Sequence, residues 1–259
     1  MADPDPRVME AAASGFSAGA DDYERGRPSY PADAVALLCR ELGIGPGARV
    51  LDLAAGTGKL TRLLVPTGAE VVAVEPVPGM RDQLALAAPE VEVRDGTAEH
   101  LPFPDDAFDA VTVAQAFHWF DPEVALKEIA WVLKPGGGLG LIWNERDNRV
   151  PWVAELSRII RWDERGEHRV PYTTEVDWAA RIDAMDTPFG PVSRFDTTYR
   201  QPMDPDTLVA RVLSTSYIAS QPVSERDRVA AAVRELVTDL GDEFELPYET
   251  VVYWCRKAP

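Results

Sequence analysis

The 259-residue chain predicts an α/β fold, a parallel sheet with helices on its faces. Three observations lead there. Apolar runs of strand length alternate with helical patterns through the first 143 residues. The run Arg49 to Leu53 ends in a turn rich in small residues, Ala54-Ala55-Gly56-Thr57-Gly58, which restarts as a helix. The next run, Glu70 to Glu75, closes on an acid nineteen residues after Gly56.

Taken in order, the strand candidates of this half are Arg49 to Leu53, Glu70 to Glu75, Val91 to Asp95, Phe108 to Ala114 and Gly138 to Trp143. Between the last two, Asp121 reads as an N-cap with Pro122 at the first helical position. Leu126, Ile129, Ala130 and Leu133 then share one helical face, and Lys134-Pro135-Gly136-Gly137 ends the helix. After Trp143 the alternation lapses. The stretch 150–190 mixes Trp152, Trp162, Tyr172 and Trp178 with many charges, and predicts a helical cap insertion. A strand pattern resumes over Arg194 to Gln201. Ser224 to Asp227 resembles a capping box, with Asp in place of the usual Glu. The helix behind it sets Val229, Ala232, Val233, Leu236, Val237 and Leu240 on one face, with Gly241 as its stop. Thr250 to Cys255 is the last strand. Without repeats, low-complexity tracts or linkers, the expectation is a single domain, 1–259.

Composition bounds the partners. Lys and Arg number 26 against 43 Asp and Glu, a formal net charge of −17 that repels nucleic acid and anionic membrane. The acidic start Met1 to Pro6 lacks the basic-then-apolar order of a signal peptide, and no apolar run approaches the length of a membrane span. Two cysteines, Cys39 and Cys255, are too few for a disulfide framework, and a reducing cytoplasm is the expected home. His100, His118 and His168 have no metal-ligand spacing, so no metal is expected.

The turn after the first strand suits a nucleotide-type cofactor, because glycine admits a ligand close to the backbone and the following helix offers free N–H groups. A dinucleotide fingerprint needs a third glycine where Thr61 stands, and Gly56 and Lys59 lack P-loop spacing. The order strand, acid, small-x-Gly-x-Gly, helix, strand, acid instead resembles the S-adenosylmethionine site of the class I methyltransferases. One departure is Ala54, where that family often has glycine; it weakens the loop's fit slightly.

Three further segments match that family in order. Gly96-Thr97-Ala98-Glu99-His100-Leu101-Pro102-Phe103 resembles its adenine-binding turn, with Thr97 where an Asp is usual. The loop Ala114-Gln115-Ala116-Phe117-His118-Trp119-Phe120 closely resembles a small-molecule subgroup that includes the trans-aconitate methyltransferase relatives. At the N-terminus, Phe16, Tyr23, Arg27-Pro28 and Tyr30-Pro31 resemble that subgroup's lid, here 1–35.

The resemblance implies a Rossmann-like, seven-stranded, mostly parallel sheet with helices on both faces, a late strand running antiparallel, a helical cap insertion and an N-terminal lid. It implies S-adenosylmethionine as cofactor, S-adenosylhomocysteine as product and a small-molecule acceptor, with the oligomeric state open. Cofactor-binding residues implied are Tyr23, Arg27, Asp52, Ala54, Gly56, Thr57, Gly58, Glu75, Pro76, Met80, Gly96, Thr97, Ala98, Ala114 and Gln115. Tyr30, His118, Trp119, Trp143, Asn144 and Arg146 are the acceptor-side candidates. His118 suits either a general base or a packed, hydrogen-bonded histidine. Arg146, beside Glu145 and Asp147, suits either an anion clamp or an internal ion pair. A nicotinamide-dependent oxidoreductase and a non-catalytic cofactor-binding module are the alternative readings.

Overall fold

Seven strands form one sheet in the order β3-β2-β1-β4-β5-β7-β6. The computed structural model describes residues 26–161, 176–219 and 221–258. In chain order the elements are α1 (Ala32–Leu42), β1 (Arg49–Leu53), α2 (Thr61–Leu64), β2 (Glu70–Val74), α3 (Pro78–Ala87), β3 (Glu92–Arg94), β4 (Phe108–Ala114), α4 (Pro122–Val132) and β5 (Leu133–Arg146). There follow α5 (Pro151–Ile159), α6 (Trp178–Asp183), β6 (Ser193–Met203), α7 (Pro205–Leu213), α8 (Ser216–Ala219), α9 (Val223–Leu236) and β7 (Phe244–Arg256).

β3, β2, β1, β4 and β5 pair in parallel. β7 runs against β5: Lys257 N–H donates to the Gly137 carbonyl at one end, while the Thr250 hydroxyl meets the Asn144 side chain at the other. The antiparallel late strand expected from the resemblance is therefore present.

The described residues fall into two compact units, one of 30–145, 176–197 and 250–258, the other of 26–29, 146–161, 198–219 and 221–249. The first is a sheet covered on both faces, because successive strand residues point opposite ways. Leu51, Leu53, Val72, Val74, Val111 and Val113 face one core with α4 and α6, through Leu126, Ile129 and Trp178. Val50, Val71, Ala73 and Ala110 face the other, with Leu38 and Leu42 of α1, Leu64 of α2 and Leu84 of α3. The second unit packs Val153 and Leu156 of α5, Leu208 and Val212 of α7, and Val229 and Val233 of α9 around Leu246 and Tyr248.

Local chemistry explains where the elements start and stop. Asp121 caps α4 by accepting from the N–H groups of Glu123 and Val124, with Pro122 in the first turn. Leu133 turns extended (φ −79°, ψ 135°), so it begins β5 instead of completing the helix face, and the strand runs on through Lys134 to Gly137. α9 starts at Val223 without a side-chain cap, because the Pro222 carbonyl already accepts from Glu225 and Arg226. Ser224 lies inside that helix. The helix also ends earlier, at Leu236, with a 3-10 turn over Thr238–Leu240 before Gly241. Within 150–190 the described elements are the helices α5 and α6; Trp162 and Tyr172 lie outside the described residues, as does 1–25 of the lid segment. Among the described residues no helix is long and apolar enough to cross a membrane.

Candidate functional site

The turn after β1 is held open by backbone conformation. Ala54, Gly56 and Gly58 all have positive φ, at 54°, 59° and 85°. Only glycine adopts that region freely, so Ala54 is strained where the glycines are not. A Cβ placed on Gly56 would meet nothing nearer than the Met80 sulfur at 3.9 Å. The loop thus keeps room on the Gly56 side, which suits a ligand lying against the backbone.

Glu75 ties this turn to the next. One carboxylate oxygen accepts from Gly56 N–H and the other from Val77 N–H, both at 2.9 Å. Burial pushes its acid pKa up; the two backbone N–H groups and Arg81 pull it back, while Asp95 adds to the rise. Arg81 donates to the carbonyls of Glu75 and Pro76 and pairs with Asp95 at 2.9 Å, which fixes the entry to α3. Each Glu75 oxygen keeps a second lone pair, so bracing the loop and accepting from a ligand hydroxyl are compatible.

Asp52 sits deeper. It is fully buried, with Oδ2 accepting from the Thr61 hydroxyl at 2.6 Å and Oδ1 from the Thr112 hydroxyl at 3.0 Å. Burial pushes its pKa up to about 6, against the downward pull of both hydroxyls. No part of it is exposed, so it offers no surface for direct ligand contact.

After β3, Gly96 is tightly enclosed: a Cβ would lie 3.1 Å from both the Pro102 and Val74 side chains, which would have to give way. The turn closes with His100 N–H on the Thr97 carbonyl, leaving Thr97 half-buried and Ala98 buried. After β4, Gln115 adopts φ 59°, and its side-chain amide donates to the Asn144 carbonyl at 2.9 Å. Gln115 therefore links β4 to β5, and its backbone, with that of Ala114, is what borders the sheet's carboxyl edge.

The acceptor-side candidates divide. Trp119 is 42% exposed, whereas Trp143 is wholly buried and stacks on Trp178 with centroids 6.0 Å apart. The Trp143 indole is a core residue, not a surface a ligand reaches. Its N–H donates to Nδ1 of the buried His118 at 3.1 Å. Asn144 is buried, its Oδ1 accepting from the Thr250 hydroxyl at 2.6 Å. Tyr30 is 8% exposed and belongs to the core with Leu37 and Leu38.

The sheet unit brings together Asp52, the turn from Ala54 to Gly58, Glu75, Pro76, Met80, the turn from Gly96 to Ala98, and Ala114 to Trp119. Arg27 and Arg146 belong to the other unit, where Arg27 donates to the Ser214 carbonyl at 3.4 Å. Tyr23 lies outside the described residues. Sequence reasoning missed Thr61, Thr112, Trp178 and Thr250. Thr112 carried a usable signal, a lone hydroxyl among the buried apolar residues Ala110, Val111 and Val113.

A family model described as a methyltransferase domain matches residues 51–141, which contain all three turns. An uncharacterized methyltransferase of Mycobacterium bovis is 42% identical over 250 residues, covering 94% of each chain. Among solved structures, a provisionally assigned type II methyltransferase from Anaeromyxobacter dehalogenans has a TM-score of 0.63 at 21% identity, covering 90% of this chain and 99% of that one. A geranyl diphosphate methyltransferase in complex with S-adenosylmethionine has a TM-score of 0.51 at 16% identity, covering 86% and 84%. At such identities the two structures show a shared fold.

Proposed function

The chain belongs to the methyltransferase family, and we propose that it transfers a methyl group from S-adenosylmethionine to a small-molecule acceptor by in-line displacement. The observation that carries this reading is the turn braced by Glu75 at Gly56, with room beside the Gly56 backbone where the Met80 sulfur, at 3.9 Å, is the nearest atom a Cβ would meet. Ala54, Gly56, Thr57 and Gly58 would hold the methionine end, with the Asp52 charge beneath them. Glu75 with Pro76 and Met80 would take the ribose side. Gly96, Thr97 and Ala98 would meet the adenine, and Ala114 with Gln115 would border it. When bound, S-adenosylmethionine supplies a methyl group already activated by its sulfonium. The residues of this chain then have to orient the reactants and exclude water, and no strong base is required unless the acceptor must lose a proton.

Trp143 sets the tautomer of His118: with Nδ1 accepting from the indole N–H, the neutral ring carries its proton on the buried Nε2, which therefore has no lone pair with which to act as a base. A small, non-nucleic-acid acceptor agrees with the net charge of −17. Cys39 and Cys255 are both free thiols, in keeping with a cytoplasmic location.

The test is formation of S-adenosylhomocysteine when purified protein is incubated with S-adenosylmethionine and a broad panel of small carboxylates, phenols, amines and thiols, read by mass spectrometry. Turnover with a panel member supports the reading. Cofactor binding without turnover across the panel supports the non-catalytic module instead.

A further inference from the structure

Asp52 and Thr112 are directly paired in the register of the parallel strands β1 and β4, and Thr61 opens α2 at the far end of the cofactor turn. All three side chains are completely buried. An ionised carboxylate in that position has lost its water, and two hydroxyl donors, with help from the Thr61 backbone N–H, stand in for it. We propose that Thr112, with Thr61, is a positioning residue for the cofactor: the two hydroxyls keep Asp52 charged at the root of the turn, where that charge favours the cationic methionine end of S-adenosylmethionine. This rests on the cofactor reading above.

The surroundings leave the threonines as the decisive partners. From the turn after β2, Glu75 acts on Asp52 as a like charge, which works against ionisation. From β4 and α2, what faces it are the hydroxyls of Thr112 and Thr61. Losing one charge-assisted donor moves the titration of a buried acid up by about one pH unit. Asp52 titrates near 6, so the change falls within the range where an enzyme is assayed. A packing residue has no such signature. Its loss weakens binding by the same factor at every pH.

The experiment is calorimetric titration of S-adenosylmethionine into the full-length protein and its Thr112→Val and Thr112→Ser variants at pH 6 and pH 8. Comparing variant with parent at each pH cancels the ligand's own titration. Thr112→Val is expected to raise Kd about fivefold at pH 6 and less than about twofold at pH 8. Thr112→Ser, which keeps the hydroxyl, is expected to follow the parent at both. A Thr112→Val ratio equal at the two pH values, or a serine variant as impaired as the valine one, overturns the proposal. Thr61→Val removes the other donor and is expected to shift the same way; it decides the matter if Thr112→Val does not fold, and a pH-independent ratio there is equally fatal. If the parent protein binds no S-adenosylmethionine at either pH, the cofactor reading itself fails, which is a different result from a pH-independent ratio.

Discussion

The indole N–H of Trp143 donates to Nδ1 of His118 across 3.1 Å, joining the middle of the β5 core to the loop that follows β4. This single bond sets the tautomer of the imidazole. With three histidines in the chain, long-range proton–nitrogen NMR resolves each ring. His118 is expected to show the Nε2–H form at pH 7, and Trp143→Phe to release it to a mixture. A dominant Nδ1–H form in the parent protein contradicts the arrangement and restores His118 as a candidate base.

Ala54 occupies φ 54° at a turn position where glycine would be unstrained. The left-handed conformation costs a non-glycine residue about 1–2 kcal/mol. Glycine's extra freedom in the unfolded chain returns about 0.4–1 kcal/mol of that. Ala54→Gly is therefore expected to leave stability unchanged or raise it by up to about 1.5 kcal/mol, read by chemical denaturation. A loss beyond about 1 kcal/mol shows that the methyl group packs in a way the conformation conceals.

The burial of Asp52 sets folding stability against ionisation. Its folded pKa of about 6 lies above its ordinary 3.8, so folding favours the protonated acid. The associated stability is fully present below pH 3.8 and is lost as pH rises through about 6. Asp52→Asn removes that dependence, and its amide can still bond both threonine hydroxyls. It is expected to raise stability at pH 7 by roughly 3 kcal/mol or less, and to weaken S-adenosylmethionine binding. Denaturation curves at pH 4 and pH 7 read the first effect. A variant less stable at pH 7 than the parent goes against it.

Glu75 braces the turn with both oxygens, and an amide cannot accept twice in the same way. Glu75→Gln turns its NH₂ toward one of the Gly56 and Val77 donors, at a cost of about 1–3 kcal/mol for the group left unbonded. Thermal melts with and without S-adenosylmethionine separate the two roles. The expected result is a lower melting temperature without ligand and a smaller shift on adding it. An undiminished ligand shift assigns Glu75 to loop structure alone.

Local signals that the backbone cannot evade were readable in the sequence. Asp121-Pro122 marked the start of α4, and the apolar runs gave β1 and β4 their bounds. Asp204-Pro205 carries the same signature at α7, where Asp204 accepts from Thr207 N–H at 2.8 Å. What failed depended on partners distant in sequence. β5 extends back through Pro135 to Gly137 alongside β7, and a Pro-Gly-Gly run reads locally as a helix end. Trp143 follows an apolar strand in sequence like a pocket wall, but Trp178 and Tyr253 enclose it. The small-residue turn at Gly56 and the acid at Glu75 that closes the next strand were legible; the anchoring of Asp52 by Thr112, sixty residues away, was not.

Calorimetric titration of the 259-residue chain tests the identity of the cofactor most directly. Saturable one-to-one binding of S-adenosylmethionine, with no heat from nicotinamide dinucleotides, is the expected result. Binding of a nicotinamide dinucleotide with none of S-adenosylmethionine contradicts the account.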